Sequence, residues 1–271
     1  MIGFARAAIL ALLLAISGCA VSPAARSVGY QTSNVDVSIT RIVHGSVIVG
    51  MRGTRLLVDP WFYPRWIFRQ SEPLGFLPDA LPPLDAIVIT RDGMAALDTT
   101  ALRALAARVP VAIVPAGAET VLREFGFTTV TGLSAGASTV IGAVIVNAIA
   151  AGGYVLAHDA THVYLASDPD DMARVTADVE RFVPLTVALL PIGGPRLLGF
   201  RQGIDPERAA DWAVPLAATR TIPYRYGLAG GEPLYSYAND PADRFRRATR
   251  GRLSADRIVI LNTGDGWHHN R

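Results

Sequence analysis

Lysine is missing from this 271-residue sequence: its 25 basic residues are all arginine, set against 23 acidic residues for a formal net charge of +2. Without lysine there is no Schiff-base chemistry and no lysine general base. A nearly balanced charge supplies no clustered basic surface, so no nucleic-acid partner is expected. Cysteine occurs once, as Cys19, which excludes an intrachain disulfide and every multi-cysteine metal or redox motif. What is abundant is apolar: 51% of the residues are hydrophobic, ample for one large domain with a real core.

The first residues set the expected compartment. Arg6 precedes an apolar run over residues 7–16, which is shorter than the roughly 20 residues a bilayer-spanning helix needs. Small residues, Ser17 and Gly18, then lead into Cys19. A basic start, a short apolar centre and small residues before a cut describe a secretory signal peptide over residues 1–18. Ile16-Ser17-Gly18-Cys19 also resembles a bacterial lipobox, which implies that the Cys19 thiol is acylated and becomes the mature N-terminus. Each buried CH₂ of an acyl chain contributes about 0.8 kcal/mol, so several chains anchor durably to a membrane. Ala20 follows the cysteine, with no Asp there to signal inner-membrane retention; if the cell has two membranes, the outer one is the expected address. Residues 19–36 are small and polar without period and read as a flexible tether, leaving residues 37–271 as a single domain.

That domain opens with alternating segments over residues 37–43, 46–51 and 55–59, followed by a Pro- and aromatic-rich loop over residues 60–83. Ala86-Ile87-Val88-Ile89-Thr90 is an apolar run of buried-strand type. Helical spacing covers residues 97–109, 118–125, 170–182 and 205–217, the last with Asp205 as cap and Pro206 at its first position. Strands are expected at residues 111–114, 128–131, 139–150, 154–166, 186–190, 219–223 and 257–261, the 154–166 segment folding back at His158 to Thr161. Strands precede helices twice, as suits two sheets packed face to face with helices outside.

Several segments, in order, resemble the metallo-β-lactamase superfamily, in its branch of metal-dependent hydrolases near the ascorbate-6-phosphate lactonase and N-acylphosphatidylethanolamine phospholipase D groups. They are Ile42-Val43-His44-Gly45-Ser46, Arg55 to Pro60, Pro82 to Thr90, Gly153 to Leu156, Val163 to Asp168 and Val187 to Gly194. The resemblance covers about residues 37–265 and implies an αββα four-layer sandwich of two mixed sheets with helices outside. It also implies zinc or another divalent metal held by a His-x-His-x-Asp-His loop, with a bridging hydroxide as nucleophile. Here that loop reads Arg91-Asp92-Gly93-Met94-Ala95-Ala96: Arg91, Gly93, Ala95 and Ala96 stand where the four ligands would be. The segment aligned with the next ligand, residues 146–151, has no histidine, and Arg225 stands at the last. Asp168 matches the metal-bridging carboxylate. His44, Asp59, Asp92, Asp98 and Asp168 form what remains of the site, and no metal or other cofactor is expected. The two arginines are expected to replace the lost cations by pairing with Asp168 or Asp92, because buried carboxylates need compensation.

Other chemistry reads weakly. Gly132-Leu133-Ser134-Ala135-Gly136 fits a nucleophile-elbow pattern, and Ser134, Asp205 and His268 run in hydrolase order, but a β-branched segment follows where a helix is required. His158 and His162 read as an exposed polar hairpin tip, and His268 and His269 as a frayed end. The loop from Trp61 to Arg69 reads as a cover over a sheet edge or as a functional surface. Three functions stay open: an envelope lipoprotein, non-catalytic or repurposed to bind an unknown small ligand or envelope protein; a hydrolase with an altered metal site; and a metal-free anion binder using Arg91 and Arg225.

Overall fold

Central strands such as residues 46–51 and 187–191 are buried on both faces, and the reason lies in how the layers stack. In the computed structural model, which describes residues 35–63, 67–91, 97–150, 152–168 and 171–270, the central strands of each sheet pack the other sheet on one side and helices on the other. Among these residues the first half comprises β1 (Val37–Val43), β2 (Ser46–Met51), β3 (Thr54–Val58), β4 (Phe68–Gln70), β5 (Ala86–Val88), α1 (Thr99–Ala106), β6 (Val111–Pro115), α2 (Glu119–Glu124) and β7 (Thr129–Leu133). The second half begins with β8 (Ser138–Ile141), β9 (Val144–Ala148), β10 (Gly153–His158), β11 (Thr161–Ala166), α3 (Met172–Val179) and β12 (Val187–Pro191). It continues through β13 (Arg196–Leu197), β14 (Phe200–Arg201), α4 (Pro206–Leu216), β15 (Arg220–Tyr224), β16 (Leu228–Gly230), β17 (Tyr235–Ser236), α5 (Pro241–Thr249) and β18 (Gly266–His269).

One sheet has the order β18-β1-β2-β3-β5-β6-β7 and the other β15-β12-β11-β10-β9-β8. Both are mixed in the same way: an antiparallel meander on one side gives way to parallel strands on the other, at β3–β5 in the first and β11–β12 in the second. Alternation sorts side chains between layers. Val47, Val49, Leu56 and Val58 face Leu156, Val163, Leu165 and Leu189 between the sheets, whereas Ile48 and Leu57 turn outward to α1 and α2. Tyr164, Ala188 and Leu190 turn outward to α3, α4 and α5. The architecture is therefore αββα, as the sequence order implied.

Some expectations change. Residues 139–150 are not one strand but the hairpin β8–β9, turned at Gly142, whose φ of 54° favours glycine. Residues 257–261 are not a ladder strand: apart from one bridge between Ile258 and Thr221, this stretch lies outside the sheets. The last strand is β18, so His268 and His269 do not fray; they pair with Ser38 and Val37 at the edge of the first sheet. Helix α5 was not anticipated. His158 and His162 are half-buried rather than loose at a tip: His158 Nδ1 lies 2.7 Å from the Ala143 carbonyl, and the His162 ring packs edge-on against Phe182. Cys19, the signal peptide and the tether up to residue 34 lie outside the described residues, as do Asp92, Gly93, Ala95 and Ala96.

Candidate functional site

Parallel strands gather their following loops at one edge of a sheet, and open α/β sheets bind ligands at that carboxyl edge. Asp59 follows β3, Thr90 follows β5, Asp168 follows β11 and Arg225 follows β15. The two sheets thus bring four residues, far apart in sequence, to the same end of the sandwich.

Arg225 is the centre of the group. It is 6% exposed, with its guanidinium reaching between two carboxylates. Nη1 donates to Asp168 Oδ2 at 3.2 Å, while Nη2 donates to Asp59 Oδ2 and contacts Thr90 Oγ1. Asp59 also accepts from the Thr90 backbone N–H at 2.8 Å and from the Thr90 hydroxyl at 2.6 Å. Arg91 Nη1 reaches the same Asp168 oxygen, Oδ2, at 2.9 Å. Two arginines and two aspartates neutralise one another. Burial disfavours the Arg225 charge, but Tyr224, Asp59 and Asp168 outweigh it, so its pKa is raised. Arg225 and Asp59 have positive φ values, 57° and 40°, and Gly45 leaves room for the arginine: a Cβ there would meet Arg225 Cγ at 3.1 Å.

His44 sits beside this lattice without joining it. Its backbone carbonyl accepts from the Arg225 N–H at 2.9 Å, and its ring meets Trp61 edge-on at 5.8 Å. Its Nδ1 is buried without a partner. Burial, and then the charges of Arg225, Arg41 and Arg91, push its pKa down from 6.5 to about 3, against a hydrogen bond with the Tyr226 backbone. At neutral pH this imidazole is uncharged. Two cavities adjoin the cluster. One of about 310 Å³ is bordered by His44, Asp59, Trp61, Arg91 and Arg225. The other, of about 660 Å³, opens beyond Arg91 and Asp168.

No family model and no curated protein matches the sequence. Solved structures do match. The diiron β-hydroxylase CmlA from Streptomyces venezuelae superposes with a TM-score of 0.68 at 17% identity, over 90% of this chain and 55% of CmlA. The chain therefore spans about half the length of CmlA. Igni18, a metallo hydrolase from the archaeon Ignicoccus hospitalis, superposes with a TM-score of 0.68 at 19% identity, over 87% of this chain and 99% of its own. The metallo-β-lactamase fold protein YhfI from Bacillus subtilis gives a TM-score of 0.58 at 10% identity, over 86% of this chain and 99% of YhfI. This chain has the metallo-β-lactamase fold. At such identities the likeness is to the fold, and fold does not carry activity.

Within the metallo-β-lactamase fold, the residues singled out in the sequence divide into three kinds. Asp59, Asp168, Arg91 and Arg225 come together. Asp98 does not join them: 4% exposed, it caps α1 by accepting from the Ala101 N–H at 2.9 Å and holds the aromatic loop by accepting from the Phe62 and Tyr63 N–H groups at 2.8 Å. Asp92 falls outside the described residues. Of the aromatic loop, Trp61 and Phe62 are buried, Phe68 is half-buried and Tyr63 exposed, while Pro64, Arg65 and Trp66 lie outside the described residues. Ser134 lies in the turn between β7 and β8, with a strand rather than a helix after it, and no histidine lines its cavity among the described residues.

Two contributors went unnoticed in the sequence. Thr90 links both charged partners, and nothing but its place after an apolar strand could have flagged it. Arg41, 1% exposed, interrupts the apolar pattern of β1; its guanidinium pairs with Glu72 and stacks on Tyr226 at 3.9 Å. A cation in the middle of a buried strand was the available signal.

Proposed function

We propose that this protein is an envelope lipoprotein, anchored through acylated Cys19, whose metallo-β-lactamase fold serves ligand binding rather than metal-dependent hydrolysis. The single observation behind this reading is the Arg225 guanidinium, buried between Asp59 and Asp168 and bonded to both. These residues do not fit a divalent metal. A cation near Asp168 would stand against two guanidinium groups already bonded to that carboxylate, and only His44 among the neighbouring side chains could add an imidazole. Among the described residues no three His, Cys, Asp or Glu side chains converge. A structure of this kind keeps the carboxylates compensated without a metal, because an unpaired buried charge is far costlier than a paired one.

Of the alternatives, anion binding through both arginines loses Arg225, whose nitrogens are spent on Asp59, Asp168 and Thr90. Arg91, 41% exposed with one ion pair, keeps capacity to spare. Elemental analysis of the full chain, purified without chelator, tests the proposal. Metal well below one equivalent, and no rise in melting temperature with added zinc, manganese or iron, is the expected result. One equivalent of tightly held metal that disappears in Asp168→Asn would sink it.

A further inference from the structure

The 660 Å³ cavity beyond Arg91 has the size of a small-molecule site. Its charge is one-sided: among the described lining residues are three guanidinium groups, Arg91, Arg201 and Arg208, against one carboxylate, Asp168. That carboxylate is already held by Arg91 and Arg225. Arg201 is 44% exposed and makes an ion pair with Asp205 at 3.1 Å, and Arg208 stacks over Trp212. Counting Arg225, Asp59 and Asp205 with the lining, four arginines face three aspartates among the described residues, a positive surplus within that set. Neutral donors stand beside the charges, from Ser134, Ser167 and Gln202.

A second observation points into the same space. Tyr154 lines the cavity and is 2% exposed, and its hydroxyl is buried without a hydrogen-bond partner. Buried phenols ordinarily find a partner, and a ligand group entering beside Tyr154 would supply the one its hydroxyl lacks. Pro115, Leu133 and Ile149 add apolar lining.

The geometry points to a binding site for a small organic anion, a phosphate monoester or carboxylate, with its charged group between Arg91 and Arg201 and its body reaching toward Tyr154. The inference rests on the metal-free reading of the adjoining site and gives that site a ligand class. Arginine suits such a ligand because its planar fork meets two oxygens at once, and because a partly exposed guanidinium still has donors to offer after one ion pair. A free phosphorylated solute and a lipid headgroup carry the same chemistry, so both are tested.

The experiment is calorimetric titration of the detergent-solubilised full chain with inorganic phosphate, glycerol phosphate and dihexanoyl phosphatidic acid, a short-chain lipid that stays soluble. Saturable binding to one site is expected. Arg91→Ala and Arg201→Ala should each weaken it tenfold or more, and Tyr154→Phe should weaken glycerol phosphate more than inorganic phosphate. Arg91→Ala leaves Asp168 paired with Arg225, and Arg201→Ala leaves Asp205 capping α4, so these variants should keep the wild-type circular dichroism. Arginine-dependent binding of the solutes supports a soluble ligand; arginine-dependent binding of the phosphatidic acid alone supports a lipid headgroup. No saturable binding of any probe at millimolar concentration, or binding indifferent to both arginines, overturns the site. Metal content measured on the same sample separates the two failures: a metal-free protein that ignores every probe refutes the ligand class alone, whereas a stoichiometric metal refutes the reading beneath it.

Discussion

Replacing Arg225 with methionine probes the lattice most directly. Methionine keeps much of the aliphatic stem and meets the left-handed backbone at φ 57° no worse than arginine does, so the change is chiefly one of charge. Removing one partner from a buried ion pair costs about 3–5 kcal/mol, because the other is left buried and uncompensated. Two features pull the expected cost toward the lower end. Asp168 retains Arg91 at 2.9 Å, and Asp59 retains the Thr90 N–H and hydroxyl at 2.8 and 2.6 Å. About 3 kcal/mol is therefore expected, a large part of the 5–15 kcal/mol that holds a typical domain together. Urea unfolding followed by circular dichroism measures it. The double variant with Asp59→Asn should lose less than the sum of the two single changes, since the second removes a charge the first has stranded. A loss for Arg225→Met within about 0.5 kcal/mol of zero, the range of ordinary surface changes, would refute the reasoning.

Other perturbations have equally definite outcomes. His44 is neutral when folded, with a pKa pushed from 6.5 down to about 3, so between those values the unfolded chain binds the extra proton. Its contribution to stability is therefore complete above pH 6.5 and drains away as pH falls toward 3, at a limiting slope of about 1.4 kcal/mol per pH unit. His44→Asn, which tolerates the positive φ at this position, should flatten that slope in urea titrations across the acid range; an unchanged slope would count against the buried neutral imidazole. Asp98→Ala removes a helix cap and the acceptor for two loop N–H groups, so a loss of about 3 kcal/mol is expected, together with a change in tryptophan emission as the Trp61 loop loosens. An unaltered melting temperature would show that water replaces the carboxylate freely. Cys19→Ser should abolish incorporation of labelled fatty acid and move the protein out of the membrane fraction; continued membrane recovery would remove the basis for a lipid anchor.

Much of the architecture was legible because burial on both faces writes a local signature. Runs such as residues 86–89 and 187–191 are apolar throughout, and Asp205-Pro206 marks the start of α4 without reference to the rest of the chain. The same rule misled at residues 257–261. Ile258 and Ile260 pack toward the helices while Val259 and Leu261 pack between the sheets, which is a strand's alternation without a strand's ladder. Conversely, β18 is polar and terminal, and only the open edge of β1 makes it a strand. Helix α5 buries little beyond Phe245 and Thr249, a stripe too thin to read, and it is held to α4 through Arg244 and Glu207.

The site divides along the same line. The expectation that Arg91 and Arg225 carry the charge of this site came from residue order alone, since motif spacing is a property of the chain. Which carboxylate each arginine meets is a property of the fold: Asp59, Thr90, Asp168 and Arg225 become neighbours only when the ends of parallel strands from two sheets converge. Composition could name the charges, but a bond between residues 59 and 225, 166 positions apart, exists only in the folded chain.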